Sequence, residues 1–292
     1  MIESQGTKNY ENFKAFPFLR LLNTLSFDIV IGAVFSAILV IKLLNVVPGW
    51  AYWIVLPISV WIIYTLDHII DALRLKKQAN TYRHIFHFQY LKTILSILAA
   101  FSALNLVFII FWLENEIIYF GLVLSLVTSL YLILIHFSGK KNSFLPKEIF
   151  VTFIYTVGIW GGPIAMTNLN ISTGQLILMI IFFLLVLADV LLLSFFEVGS
   201  DQKDNHPTIA VKFGQAVTTK IIFTLIFVVY ILSIFIIFSD ELFLHRSIAK
   251  LYLFMGLIQI IIIGISQFFE KNKLYRYIIE IVFWIPGFIM LI

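Results

Sequence analysis

The chain has 292 residues, 61% of them hydrophobic and 12% charged, with a formal net charge of +4 at pH 7. Soluble domains carry about a quarter charged residues, so this composition leaves no room for a separate soluble domain and indicates an all-α polytopic membrane protein, one transmembrane domain over 1–292. There is no cysteine, which excludes disulfides and thiolate metal sites; the surplus of Lys and Arg in such a chain reports topology and not nucleic acid.

In chain order, residues 1–23 contain Glu3 and Glu11 and lack an apolar core with a cleavage site. They read as a cytoplasmic N-terminal segment and not as a secretory signal. A spanning helix needs roughly 20 mostly apolar residues. Nine stretches qualify, at about 24–47, 51–73, 90–113, 116–136, 146–168, 173–197, 219–239, 248–268 and 275–292. They are continuous runs without alternation, which excludes membrane strands. With nine spans, every Lys and Arg except Lys42, Arg246 and Lys250 falls on the side of the N-terminus. The bias places the N-terminus in the cytoplasm and the C-terminus outside, in a multi-pass protein of the cell's inner (plasma) membrane. The outer connections "VVPGW", "ENE" and "NLNIST" are short, whereas the inner loops after the second and sixth spans are long, as functional loops often are.

Ionisable groups in spans are costly and tend to mark function. Asp28, Asp67, Asp71, Asp189, Glu197, Asp201 and Glu280 all fall in the cytoplasmic third of this arrangement. Asp67 and Asp71 stand at i and i+4, so their carboxylates share one helix face and repel unless a cation lies between them. Glu197 and Asp201 repeat the spacing, and the offset from 67 to 197 equals that from 71 to 201. The pattern predicts two acidic pairs facing each other across one cavity. Oxygen-only donors suit Mg²⁺, a hard cation usually completed by substrate phosphates. Each pair precedes a basic stretch, "RLKKQANTYRH" or "QKDNHPTIAVK", and cations over Mg²⁺ make a diphosphate site. Arg83 is the foremost candidate clamp. Asp189 and His68, on the same side, are candidates for orienting an acceptor. His84 and His87 stand at i and i+3, but zinc wants a third and usually a fourth ligand. "GIWGGP" at 158–163 reads as close helix packing and a proline kink, not as a phosphate loop.

These features resemble the UbiA superfamily of intramembrane prenyltransferases, exemplified by 4-hydroxybenzoate polyprenyltransferase, over essentially the whole chain. The family's first motif, N-D-x-x-D-x-x-x-D, corresponds to "IYTLDHIID", in which Asp67 and Asp71 match while Ile63 and Tyr64 replace the Asn and Asp. The second motif corresponds to "EVGSDQKDNHPTIAVKFG", with Glu197 in place of the first Asp, Asp201 kept and Lys203 at a position often basic. A Y-x-x-x-K element corresponds to "HFSGK", where His136 stands for the Tyr and Lys140 for the Lys.

The resemblance implies nine helices around a central cavity open to the cytoplasm. It implies Mg²⁺ held by Asp67, Asp71, Glu197 and Asp201, and a diphosphate bound by Arg83, His136, Lys140 and Lys203. The reaction it implies is transfer of a prenyl group from its diphosphate to a lipophilic or aromatic acceptor, in contact with membrane lipid. Two alternatives share the fold: a membrane terpene cyclase that needs no acceptor, and a degenerate relative without catalysis. A transporter would place its ionisable groups near the bilayer midplane on broken helices, which is not the pattern here.

Overall fold

The structure is a computed structural model that describes residues 17–75, 81–137, 147–204, 206–271 and 273–291. Every element among the described residues is helical. In chain order they are α1 (Pro17–Thr24), α2 (Phe27–Leu44), α3 (Tyr52–Leu75), α4 (Tyr82–Gln89), α5 (Leu91–Trp112), α6 (Asn115–Phe137), α7 (Lys147–Met166), α8 (Thr173–Lys203), α9 (Ile209–Phe213), α10 (Gln215–Ser239), α11 (Phe243–Gly264), α12 (Ser266–Lys271) and α13 (Tyr275–Ile281), followed by a 3₁₀ segment, Val282–Leu291. Seven of the described helices, α2, α3, α5, α7, α8, α10 and α11, are long and apolar enough to cross a membrane. The fold is therefore that of an integral membrane protein.

Three expectations change in detail. The stretch expected to span at 275–292 is a 7-residue α-helix that passes into 3₁₀ geometry around Pro286; proline has no N–H to give to an α-helical ladder and disfavours its continuation. The expected helix 173–197 runs on to Lys203, 31 residues in all, so Glu197 and Asp201 both ride on it. The long loop expected after the second span contains a further helix, α4.

Local signals explain several boundaries. Ser172 and Gln175 form a capping box at the start of α8: Gln175 N donates to Ser172 Oγ at 3.2 Å, and Ser172 N to Gln175 Oε1 at 2.9 Å. Two otherwise orphaned backbone donors are satisfied in this way. Gln175 Nε2 also donates to Leu43 O at 3.1 Å, tying the start of α8 to the end of α2. Ser26, at φ 59°, breaks the chain between α1 and α2.

The core lies where α2 and α8 are surrounded. Val40, Leu185 and Leu192 are wholly buried. α8 packs on α7, α10 and α11, and α2 packs on α3, α7 and the 3₁₀ segment. α6 lies against α7 at Gly161, where a β-carbon would meet the ring of Phe120. This is the close approach that small residues permit between membrane helices. The outward faces of α5, α6 and α10 expose Phe111, Leu122 and Phe227, surface that a bilayer accommodates and water does not.

Candidate functional site: an acidic cleft joined to an apolar groove

The C-terminal ends of α3 and α8 meet the N-terminal end of α7, with α4 and residues 206–208 beside them. Between them lies a cleft of about 220 Å³. The i, i+4 spacing turns both carboxylates of each pair the same way, and Asp67, Asp71, Glu197 and Asp201 all line this cleft. Arg83, His68 and Asp189 line it as well. Lys203 is exposed at the end of α8 and off the cleft lining. Lys140 lies outside the described residues, as does the side chain of His136 in the last turn of α6. The structure thus brings together seven of the ten residues given a metal, diphosphate or acceptor role, and Glu280 and His84 line the same cleft.

The cation that the Asp67–Asp71 pair requires is present, and it is a lysine. Lys147 Nζ donates to Asp67 Oδ1 and Oδ2, both at 3.0 Å, and lies 3.5 Å from Asp71 Oδ2. Arg74 Nη2 holds the other Asp71 oxygen at 3.3 Å and also contacts the His206 ring. His84 stands 3.9 Å from Asp71. Burial, with Arg83 beside it, pushes the His84 imidazole down to about 3, so the ring is neutral at physiological pH and that contact is not an ion pair. On the opposite wall, Arg276 Nε lies 2.9 Å from Glu197 Oε1.

The two acceptor candidates have structural ties. His68 Nε2 is 3.0 Å from Ser26 Oγ, which pins α3 to the joint between α1 and α2. Asp189 accepts from Gln259 Nε2 at 3.3 Å, and the same amide donates to Leu185 O at 3.0 Å. Asp189 therefore joins α8 to α11 while lining the cleft.

Sequence reasoning missed Glu148. It is buried, accepts from Ile209 N and from Ser194 Oγ at 3.3 Å, and so fastens α9 and the 206–208 segment over the cleft. Lys147 and Arg276 read from the sequence as topology-setting charges only. A signal was available: "PKE" at 146–148 opens a long apolar run, and a lysine in a first helical turn opposes the macrodipole and so calls for a partner elsewhere.

A second cavity of about 150 Å³ runs between α3, α6 and α7 and is lined almost entirely by apolar atoms. Tyr64, Asp67, Lys147, Val151 and Tyr155 line both spaces. Charged cleft and apolar groove thus share a wall at the Asp67–Lys147 contact.

Among the described residues no three His, Asp or Glu side chains converge to hold a metal unaided. The donor chemistry nonetheless suits a hard dication: two carboxylate pairs, all oxygen, on one cleft. Mg²⁺ is usually held by one or two carboxylates with substrate phosphates completing its shell, which does not require a preformed trio. Comparison with family models, with curated proteins and with solved structures finds no match.

Proposed function

We propose that the protein is an intramembrane prenyltransferase of the UbiA type, moving a prenyl group from a prenyl diphosphate to a lipophilic or aromatic acceptor. The supporting observation is the continuity of the charged cleft with the apolar groove across Asp67, Lys147, Tyr64 and Tyr155. That continuity suits a ligand with a polar head and a long apolar tail. In the bilayer we place nine spans around this cleft, with the cleft open to the cytoplasm, the N-terminus inside and the C-terminus outside.

The cleft lining carries more carboxylates than cationic side chains: Asp67, Asp71, Glu148, Asp189, Glu197, Asp201 and Glu280 against Arg83 and Lys147. A diphosphate would be repelled from such a surface unless dications accompanied it. Mg²⁺ bound with the head group, held by Asp67, Asp71, Glu197 and Asp201, would supply charge neutralisation on the leaving diphosphate. Arg83 and Lys147 lie where they would face the same developing negative charge. The groove walls, from Leu56 to Ile159, exclude water from the allylic carbon and so disfavour hydrolysis. Tyr64 and Tyr155 line both spaces, so their rings would lie near the carbon that becomes cationic, and aromatic faces attract cations. Asp189 and His68 would orient the acceptor from the α8 and α3 sides.

The test is release of pyrophosphate by the purified full-length chain in nanodiscs. Geranyl, farnesyl and geranylgeranyl diphosphates would be supplied with Mg²⁺ or EDTA, with and without a membrane-extract acceptor pool. The expected result is Mg²⁺-dependent release that Asp71→Asn and Asp201→Asn each reduce at least a hundredfold. Release that proceeds fully without acceptor would assign a cyclase instead. No release from a folded protein with any of the three substrates would count against the catalytic reading.

A further inference from the structure

Lys147 occupies the point that a dication between Asp67 and Asp71 would occupy. Three oxygens of two carboxylates converge on its Nζ, at 3.0, 3.0 and 3.5 Å. The fourth, Asp71 Oδ1, faces Arg74 at 3.3 Å. Lys147 sits where its own helix disfavours it, and Asp71 lies close to the end of α3 that disfavours an anion. The ammonium stands in the first turn of α7, directly after Pro146, and the carboxylates stand in the last turns of α3; helix dipoles favour the opposite signs at both ends. Arg74 on the same helix compensates one oxygen of Asp71, but the carboxylates that compensate Lys147 lie across the cleft on α3, so its placement is not a by-product of local helix energetics. Nor is it needed merely to solubilise a helix end, because Lys147 lines both the charged cleft and the apolar groove. Its side chain is 36% exposed and carries a compact charge on a flexible stem, so it has room to leave the pair.

We propose that Lys147 is a resident counter-ion that competes with divalent cations for the Asp67–Asp71 pair. In the free protein the ammonium holds the pair closed. A dication enters there when the ammonium is drawn away, and (resting on the diphosphate reading above) an arriving anionic head group is what draws it.

The competition is measurable without catalysis. The full-length chain, in nanodiscs of zwitterionic phosphatidylcholine, would be titrated with Mn²⁺ and the free ion followed by its electron paramagnetic resonance signal, with no diphosphate present. Lys147→Gln should tighten Mn²⁺ binding at one site at least tenfold over wild type. Lys147→Arg, which keeps the charge, should bind like wild type, and Asp67→Asn combined with Lys147→Gln should lose the gain. An unchanged isotherm in a Lys147→Gln protein that elutes and melts as a folded species would overturn the proposal. Should that variant not fold, the wild type decides: acylation of Lys147 by an amine-reactive ester, read by mass spectrometry, should rise as Mn²⁺ saturates, and a constant extent would equally overturn it. A gain of Mn²⁺ affinity without pyrophosphate release from any prenyl diphosphate would support the counter-ion role while removing the transferase reading.

Discussion

Lys147 and Arg276 stand in the first turns of α7 and α13, against the preference of those helices, and are held by partners far along the sequence. Arg276 and Glu197 illustrate the energetic consequence. The pair is 2.9 Å apart, with side chains 17% and 14% exposed, so it is largely withdrawn from solvent. Removing one partner of a buried ion pair leaves an uncompensated charge and costs about 3–5 kcal/mol. Arg276→Met should therefore lower stability by about 3 kcal/mol, toward the low end because some exposure remains. Adding Glu197→Gln should restore most of the loss, a coupling that a double-mutant cycle of thermal melts would measure. An additive result would mean that the contact has no energetic weight. Glu148 acts through a neighbour in a similar way: its bonds to Ile209 N and Ser194 Oγ fasten the segment over the cleft.

Among the elements, α8 organises the site because it contributes Asp189, Glu197 and Asp201 and also forms much of the core. Its register relative to α2 is fixed at the end remote from the cleft. There Ser172 and Gln175 cap it reciprocally, and Gln175 reaches Leu43 O. Ser172→Ala should cost about 1 kcal/mol, the usual loss of an N-cap. Gln175→Ala should cost more than Ser172→Ala, because it also releases the tie to α2. Thermal melts of the two variants in one detergent would check the order, and a reversed order would show that the Leu43 bond contributes nothing. α6 and α7 meet through Gly161, whose missing β-carbon leaves room for the Phe120 ring, and this keeps the α6 wall of the groove close to α7.

For the whole molecule, the charge asymmetry carries the orientation proposal, and the absence of cysteine makes it simple to check. Val47, between α2 and α3, is 89% exposed, and Lys203, at the opposite end of the bundle, is exposed as well. In intact cells an impermeant maleimide should label Val47→Cys, and it should label Lys203→Cys only after lysis. The reverse pattern would invert the topology and place the acidic cleft outside.

Composition and hydropathy alone determined the all-helical membrane class, because some 20 continuous apolar residues have few alternatives to a spanning helix. The i, i+4 spacing alone determined that each acidic pair shares a helix face, and repulsion within the first pair called for a cation. Which cation stands there was settled by tertiary structure. Lys147 is 80 residues from Asp67 along the chain, and no periodicity links positions so far apart. The pairing of Arg276 with Glu197, the fastening by Glu148 and the wall shared by cleft and groove arise in the same way. Each depends on which helices become neighbours, and that is set by packing across the bundle: glycine contacts and buried apolar faces acting between helices, which no single helix carries by itself.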